Sequence, residues 1–132
     1  GTEAIARVAR HGVPTDLIQL DDRRPTGFVS VALDGEGVAS YEILAPAAWD
    51  AIEIDDALVE PAARAGALVF GSLAQRSPVS RDAIQRLSGV ARTRVFDVNL
   101  RHPHDDREVV IASLSRADVV KLNEQELLQL GA

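Results

Sequence analysis

The chain has no cysteine, so neither a disulfide framework nor a thiolate metal site is open to it. It lacks an excess of basic charge as well. Fourteen Lys and Arg stand against twenty Asp and Glu, for a net charge of -6, which argues against a nucleic-acid surface or an anionic membrane as partner. Any phosphate-bearing ligand must then be met by local donors. No apolar run approaches the roughly 20 residues that a membrane span needs, and no signal peptide is visible, so the expectation is a cytoplasmic protein. Methionine is absent too, even at position 1. The chain opens on GTEAIARVARHG, which reads as a helix, and closes on ELLQLGA, a helix running into a glycine. A doubly wound domain normally starts with a strand, so the sequence reads as an internal segment of a longer chain.

What is present is ordinary for a folded α/β protein: 132 residues, 46% hydrophobic and 26% charged, enough for one domain with a real core. After an apolar stripe of Ala4, Ile5, Val8 and Ala9, Gly12 stands where a left-handed helix cap belongs. Leu17, Ile18 and Leu20 predict a short strand, and Pro25-Thr26-Gly27 a turn. Phe28 to Leu33 and Val38 to Leu44 predict a hairpin closed by Asp34-Gly35-Glu36-Gly37. Neither face of this hairpin is strongly polar, so it is expected to cover something on both sides.

Beyond Pro46 the period changes. A helix is predicted near Ala57 to Ala65, followed by strands at Ala67 to Gly71, Arg94 to Asn99 and Asp118 to Asn123. Helices near Ser80 to Arg92, Arg107 to Arg116 and Glu124 to Leu130 alternate with them, the pattern of parallel βαβ units with right-handed crossovers. Each strand turns polar at its carboxyl end: Gly71-Ser72, then Asp97 to Arg101, then Lys121 and Asn123. Open parallel sheets bind ligands beyond those ends. Within Thr93 to Arg101, the residues Asp97, Asn99 and Arg101 fall on alternate positions, and an extended segment would present all three on one face. Such a trio beside a core must pair internally, cap the next helix or face a ligand.

Four motifs in register resemble the ribokinase-like sugar kinases, the PfkB carbohydrate kinase family, and its fructokinase-related members most: Pro25-Thr26-Gly27, Phe70 to Ala74, Phe96 to Arg101 and Ala117 to Leu127. The match runs over essentially the whole chain. It implies a ribokinase-like α/β fold, a partial doubly wound and mainly parallel sheet with a small β-sheet lid. On this reading residues 1–132 form one partial domain, with the lid at about 16–45 and the βαβ units at about 57–132. The resemblance further implies an ATP-dependent kinase that phosphorylates a hydroxyl of a small, fructose-like sugar, with ATP and Mg2+ as cofactors and a homodimer through the lid. Asp97, Asn99 and Arg101, with Thr26, Gly27 and Tyr41 of the lid, become sugar-side candidates. Asn123, Glu126 and Lys121 become nucleotide- and phosphate-side candidates, Glu126 meeting the metal through water because a bare carboxylate repels phosphate.

Each assignment has a plainer alternative. Arg101 could pair with Asp105 or Asp106, and Asp97 could cap a turn. Asn123 and Glu126 have the spacing of a capping box, which needs no ligand. Lys121 could extend to solvent from a strand end, and Trp49 could fill a core rather than stack on a sugar. His11, His102 and His104 do not make a convincing metal set.

The chain departs from the family in two places. It has no GAGD-type segment, which in the family supplies the anion hole and the catalytic base, and no glycine-rich segment near its start. No catalytic residue is therefore assigned, and the isolated chain is expected to be inactive. The alternative from another class is a non-catalytic sugar- or nucleotide-binding module built on a kinase-like half-domain. The segment Ser40 to Asp50 lacks the tyrosine-rich strand with arginine expected of a 2-keto-3-deoxygluconate kinase, which favours a fructokinase-like substrate.

Overall fold

The computed structural model describes residues 1–131; Ala132, the last residue of the predicted domain, lies outside them. The chain divides into two units, Gly1–Ile52 and a second beginning at Glu53.

The first unit opens with α1 (Thr2–Arg10). Gly12, at φ 73°, donates its N–H to Ala9 O at 2.9 Å, the left-handed helix exit its position predicts. The expected strand at Leu17 to Leu20 does not form. Those residues have no partner strand, Ile18 N closes a turn on Thr15 O, and Leu20 is exposed. The chain bends at Asp22 to Arg24 rather than at Pro25-Thr26-Gly27. Asp21 makes that bend, its Oδ1 accepting the Arg23 and Arg24 N–H groups while Arg24 pairs with Oδ2 at 2.8 Å. The Arg24 side chain, followed by these backbone bonds, holds the Asp21 carboxyl below its usual range.

Strands β1 (Val29–Leu33) and β2 (Ala39–Ile43) then pair antiparallel. Asp34 shapes the turn between them by accepting from Glu36 N and Val38 N, and Gly37 supplies the positive φ of 80°. Directly opposed residues share a face. The register joins Val29 to Ile43, Val31 to Tyr41 and Leu33 to Ala39 on one side, and Ser30 to Glu42 and Ala32 to Ser40 on the other. One face is therefore apolar but for the Tyr41 hydroxyl, while the other carries Ser30, Ser40 and Glu42, so the expectation that neither face is strongly polar does not hold.

The second unit follows the predicted alternation. Its elements are α2 (Asp56–Arg64), β3 (Leu68–Gly71), α3 (Pro78–Val90), β4 (Arg94–Asp97), α4 (Arg107–Leu114), β5 (Val119–Lys121) and α5 (Glu124–Leu130). The strands form a parallel sheet in the order β3-β4-β5. Phe96, Val98 and Val110 make the core, with Phe70, Leu100, Leu114, Ala117, Leu122 and Leu130 packed around them. Phe70 and Phe96 stack at 5.3 Å between ring centroids. The next row of the same sheet, Val69, Val95 and Val119, falls on the opposite face, and Val69 and Val119 are exposed there.

Candidate functional site

Polar side chains gather where the three parallel strands end. Ser72, buried just past β3, donates its hydroxyl to Val98 O at 2.6 Å and so ties the ends of β3 and β4. Behind it the side chain of Gln75 is fully buried. Its amide donates to Gly71 O at 2.9 Å and to Ser113 Oγ at 3.1 Å, which joins the end of β3 to α4. Neither Gln75 nor Ser113 is marked out by any motif, since the pair lies 38 residues apart. A recess lined by Ser72, Gln75, Arg76, His104, Asp106 and Val109 lies here. At about 10 Å³ it has room for at most about one water and none for a sugar.

Pairing between β4 and β5 runs one residue beyond the strand, through Val98 N to Lys121 O at 3.0 Å. Asn99 then turns left-handed, at φ 42°, as the one non-glycine residue with positive φ among those described. Asparagine tolerates this conformation better than most residues. The extended repeat accordingly stops before Arg101, and the expectation that Asp97, Asn99 and Arg101 share one extended face does not hold. Asp97 instead meets Lys121 across the strands, Nζ to Oδ1 at 3.0 Å, with both side chains partly exposed. Arg101 is exposed and donates from its guanidinium to Leu100 O at 2.8 Å. The two acids offered as its ion-pair partners are engaged elsewhere: Asp105 lies 3.4 Å from His102 Nδ1, and Asp106 lies 3.6 Å from Arg81.

At the end of β5 the capping box is complete. Asn123 Oδ1 accepts the Glu126 N–H and Glu126 Oε2 accepts the Asn123 N–H, both at 2.9 Å. Glu126 is also buried, and its second oxygen, Oε1, accepts the Leu100 N–H at 2.9 Å. The structure thus connects the two groups of candidates, through Asp97 to Lys121 and through Leu100 to Glu126. Of the remaining candidates, Thr26, Gly27 and Tyr41 belong to the first unit. Thr26 and Tyr41 are exposed, and Thr26 Oγ1 accepts from the Gly1 amine at 2.6 Å. Gly27 packs on the ring of Trp49, so closely that a Cβ there would lie 2.7 Å from a ring carbon. This gives Trp49 a packing role within its own unit.

Among the described residues no group of three or more His, Asp or Glu is placed to hold a metal ion. Both oxygens of Glu126 already serve backbone amides. Among the described residues there is thus no ready-made Mg2+ ligand set. Among the described residues no helix is long and apolar enough to cross a membrane.

No family model and no curated protein sequence matches the chain. Solved structures do. An uncharacterized sugar kinase PH1459 from Pyrococcus horikoshii is 26% identical, with a TM-score of 0.82 over 98% of this chain and 45% of that one. Fructokinase from Xylella fastidiosa is 26% identical, with a TM-score of 0.81 over 98% of this chain and 43% of that one. The chain has the ribokinase-like fold of the sugar kinases. Both neighbours also match as ATP-bound structures, with TM-scores of 0.80 and 0.79. The ribokinase-like chain spans less than half the length of each of these kinases.

Proposed function

We propose that this chain is part of an ATP-dependent sugar kinase acting on a hydroxyl of a small, fructose-like sugar. One observation carries the reading. Nearly all of the chain superposes on two sugar kinases, one of them a fructokinase, and both are also known with ATP bound. The polar strand ends of the second unit support it, because ligands of open parallel sheets lie beyond the carboxyl ends of the strands.

In this reading Arg101, Asn99 and Asp97 face the sugar, as do Thr26, Gly27 and Tyr41 of the hairpin unit. The Arg101 guanidinium presents fixed donors to hydroxyl oxygens and is already exposed. Asn123 and Lys121 stand on the nucleotide side. The sugar hydroxyl attacks the γ-phosphorus of ATP, the bond to the leaving ADP oxygen breaks, and the hydroxyl proton passes to a base. No residue here is assigned that role. Mg2+ would come with the triphosphate and would offset its charge.

Calorimetric titration of the chain with ATP and with a panel of hexoses tests the proposal. Saturable fructose binding is expected, weakened roughly tenfold by Arg101→Ala through loss of a charged donor. A parallel coupled assay should show no turnover. Binding of ATP without any sugar would favour a nucleotide-binding module, and binding of neither would sink the reading.

A further inference from the structure

The capping box at the start of α5 needs only one oxygen of Glu126. Oε2 meets that need by accepting the Asn123 N–H. The other oxygen reaches Leu100, 26 residues earlier, in the bend that follows β4. Leu100 comes directly after Asn99, whose left-handed backbone is a costly conformation that persists when surrounding contacts over-determine it. The bend is held on both flanks. Before Asn99, Val98 donates to Lys121 O and its carbonyl accepts from Ser72. After Asn99, Leu100 N donates to Glu126 while the Leu100 side chain packs on the core, and the Ser72 hydroxyl also lies 3.5 Å from Asn99 O. Burying a carboxylate is unfavourable unless its oxygens are satisfied, and here two backbone amides from separate segments satisfy them.

We propose that Glu126 is a positioning residue: its carboxylate clamps the 98–101 bend to the start of α5 and so sets where Asn99 and Arg101 stand toward a sugar. The inference rests on the sugar-kinase reading above. It gives Glu126 a role apart from the metal. Ligation through water would use the lone pairs left over on the two oxygens, whereas the clamp uses the oxygens as the structure shows them.

Glu126→Gln separates the roles. Glutamine at this position still completes a capping box, so a residue that merely caps α5 tolerates it. Its carboxamide has a single oxygen, however, and can serve only one of the two amides. Amide hydrogen exchange followed by NMR on the 132-residue chain should show Leu100 exchanging roughly tenfold faster while Asn123 keeps its protection. The amides of Phe96 and Val110, in the core, should not change. Fructose affinity should fall by about the same factor, with ATP affinity in Mg2+ changed by less than roughly twofold. In the unsubstituted chain, a scalar coupling from Leu100 N to the Glu126 carboxyl carbon gives a second reading that needs no variant. Unchanged Leu100 exchange, or a missing coupling, would overturn the clamp. Faster exchange with unaltered fructose affinity would overturn its positioning role, as would a loss confined to ATP that excess MgCl2 restores. If the unsubstituted chain binds no sugar, the kinase reading fails, and exchange and coupling still decide whether the clamp exists.

Discussion

Where β4 and β5 begin, Arg94 grips Asp118 with two side-chain hydrogen bonds and one from its backbone N–H, all at 2.8 Å. The Arg94 side chain first, then its backbone N–H, pulls the Asp118 carboxyl down from 3.8 to about 2. A carboxylate with a depressed folded-state pKa stabilises the fold above its unfolded pKa, and that contribution is lost as the group protonates. The pair should therefore contribute fully above about pH 4 and fade as pH falls from 3.8 to about 2. Urea midpoints across pH 2 to 6 should show a smaller drop in this window for Asp118→Asn than for the parent. An equal drop would mean that other carboxylates govern acid unfolding. This pair illustrates what the sequence conceals. Arg94 and Asp118 are 24 residues apart and meet because parallel strands bring their ends together. Asn123 and Glu126 are three apart, and their capping box could be read directly. The Leu100 bond of the same Glu126 could not, since nothing local in the sequence encodes it.

α4 is held at its start by Asp106, whose Oδ1 accepts from Glu108 N at 3.0 Å and Val109 N at 3.4 Å. Oδ2 lies 3.6 Å from Arg81 Nη2, and Arg81 Nε in turn donates to Gln75 O. Because α4 delivers Val109, Val110 and Ser113 to the interior, fraying its first turn loosens the wall behind Ser72 and Gln75. Asp106→Ala should cost about 1 kcal/mol in urea unfolding, the usual worth of an N-cap. A change near zero would show that α4 is fixed by packing alone. At this scale the sequence was most readable. The strand and helix alternation from Leu68 onward appears in the structure within a few residues, because each element carries its own period and is flanked by its own turn residues. Leu17 to Leu20 misled because a short apolar run looks the same whether or not a partner strand exists. The extended trio misled because the left-handed turn at Asn99 has no signature beyond the asparagine itself.

At the scale of the whole molecule, apolar surface is left exposed in each unit. The hairpin shows Val31, Leu33 and Tyr41 on one face, at 54%, 68% and 69% exposure. The parallel sheet shows Val69 and Val119 at 67% and 50%. A two-stranded sheet is marginal alone in water, so the hairpin has the stronger need of a partner. Its apolar face is continuous across three residue pairs, which suits a second copy laid face to face, the homodimer through the lid that the resemblance in the sequence implies. Sedimentation of the chain at increasing concentration should show a monomer–dimer equilibrium. Val31→Glu places a charge in the middle of that face and should weaken association by more than roughly tenfold, the cost of a buried unpaired carboxylate. Val69→Glu serves as the counter-test, because it charges the sheet face and leaves the hairpin untouched. Dimers lost with Val69→Glu but kept with Val31→Glu would move the interface to the parallel sheet, and a chain monomeric at every concentration would overturn the expected homodimer.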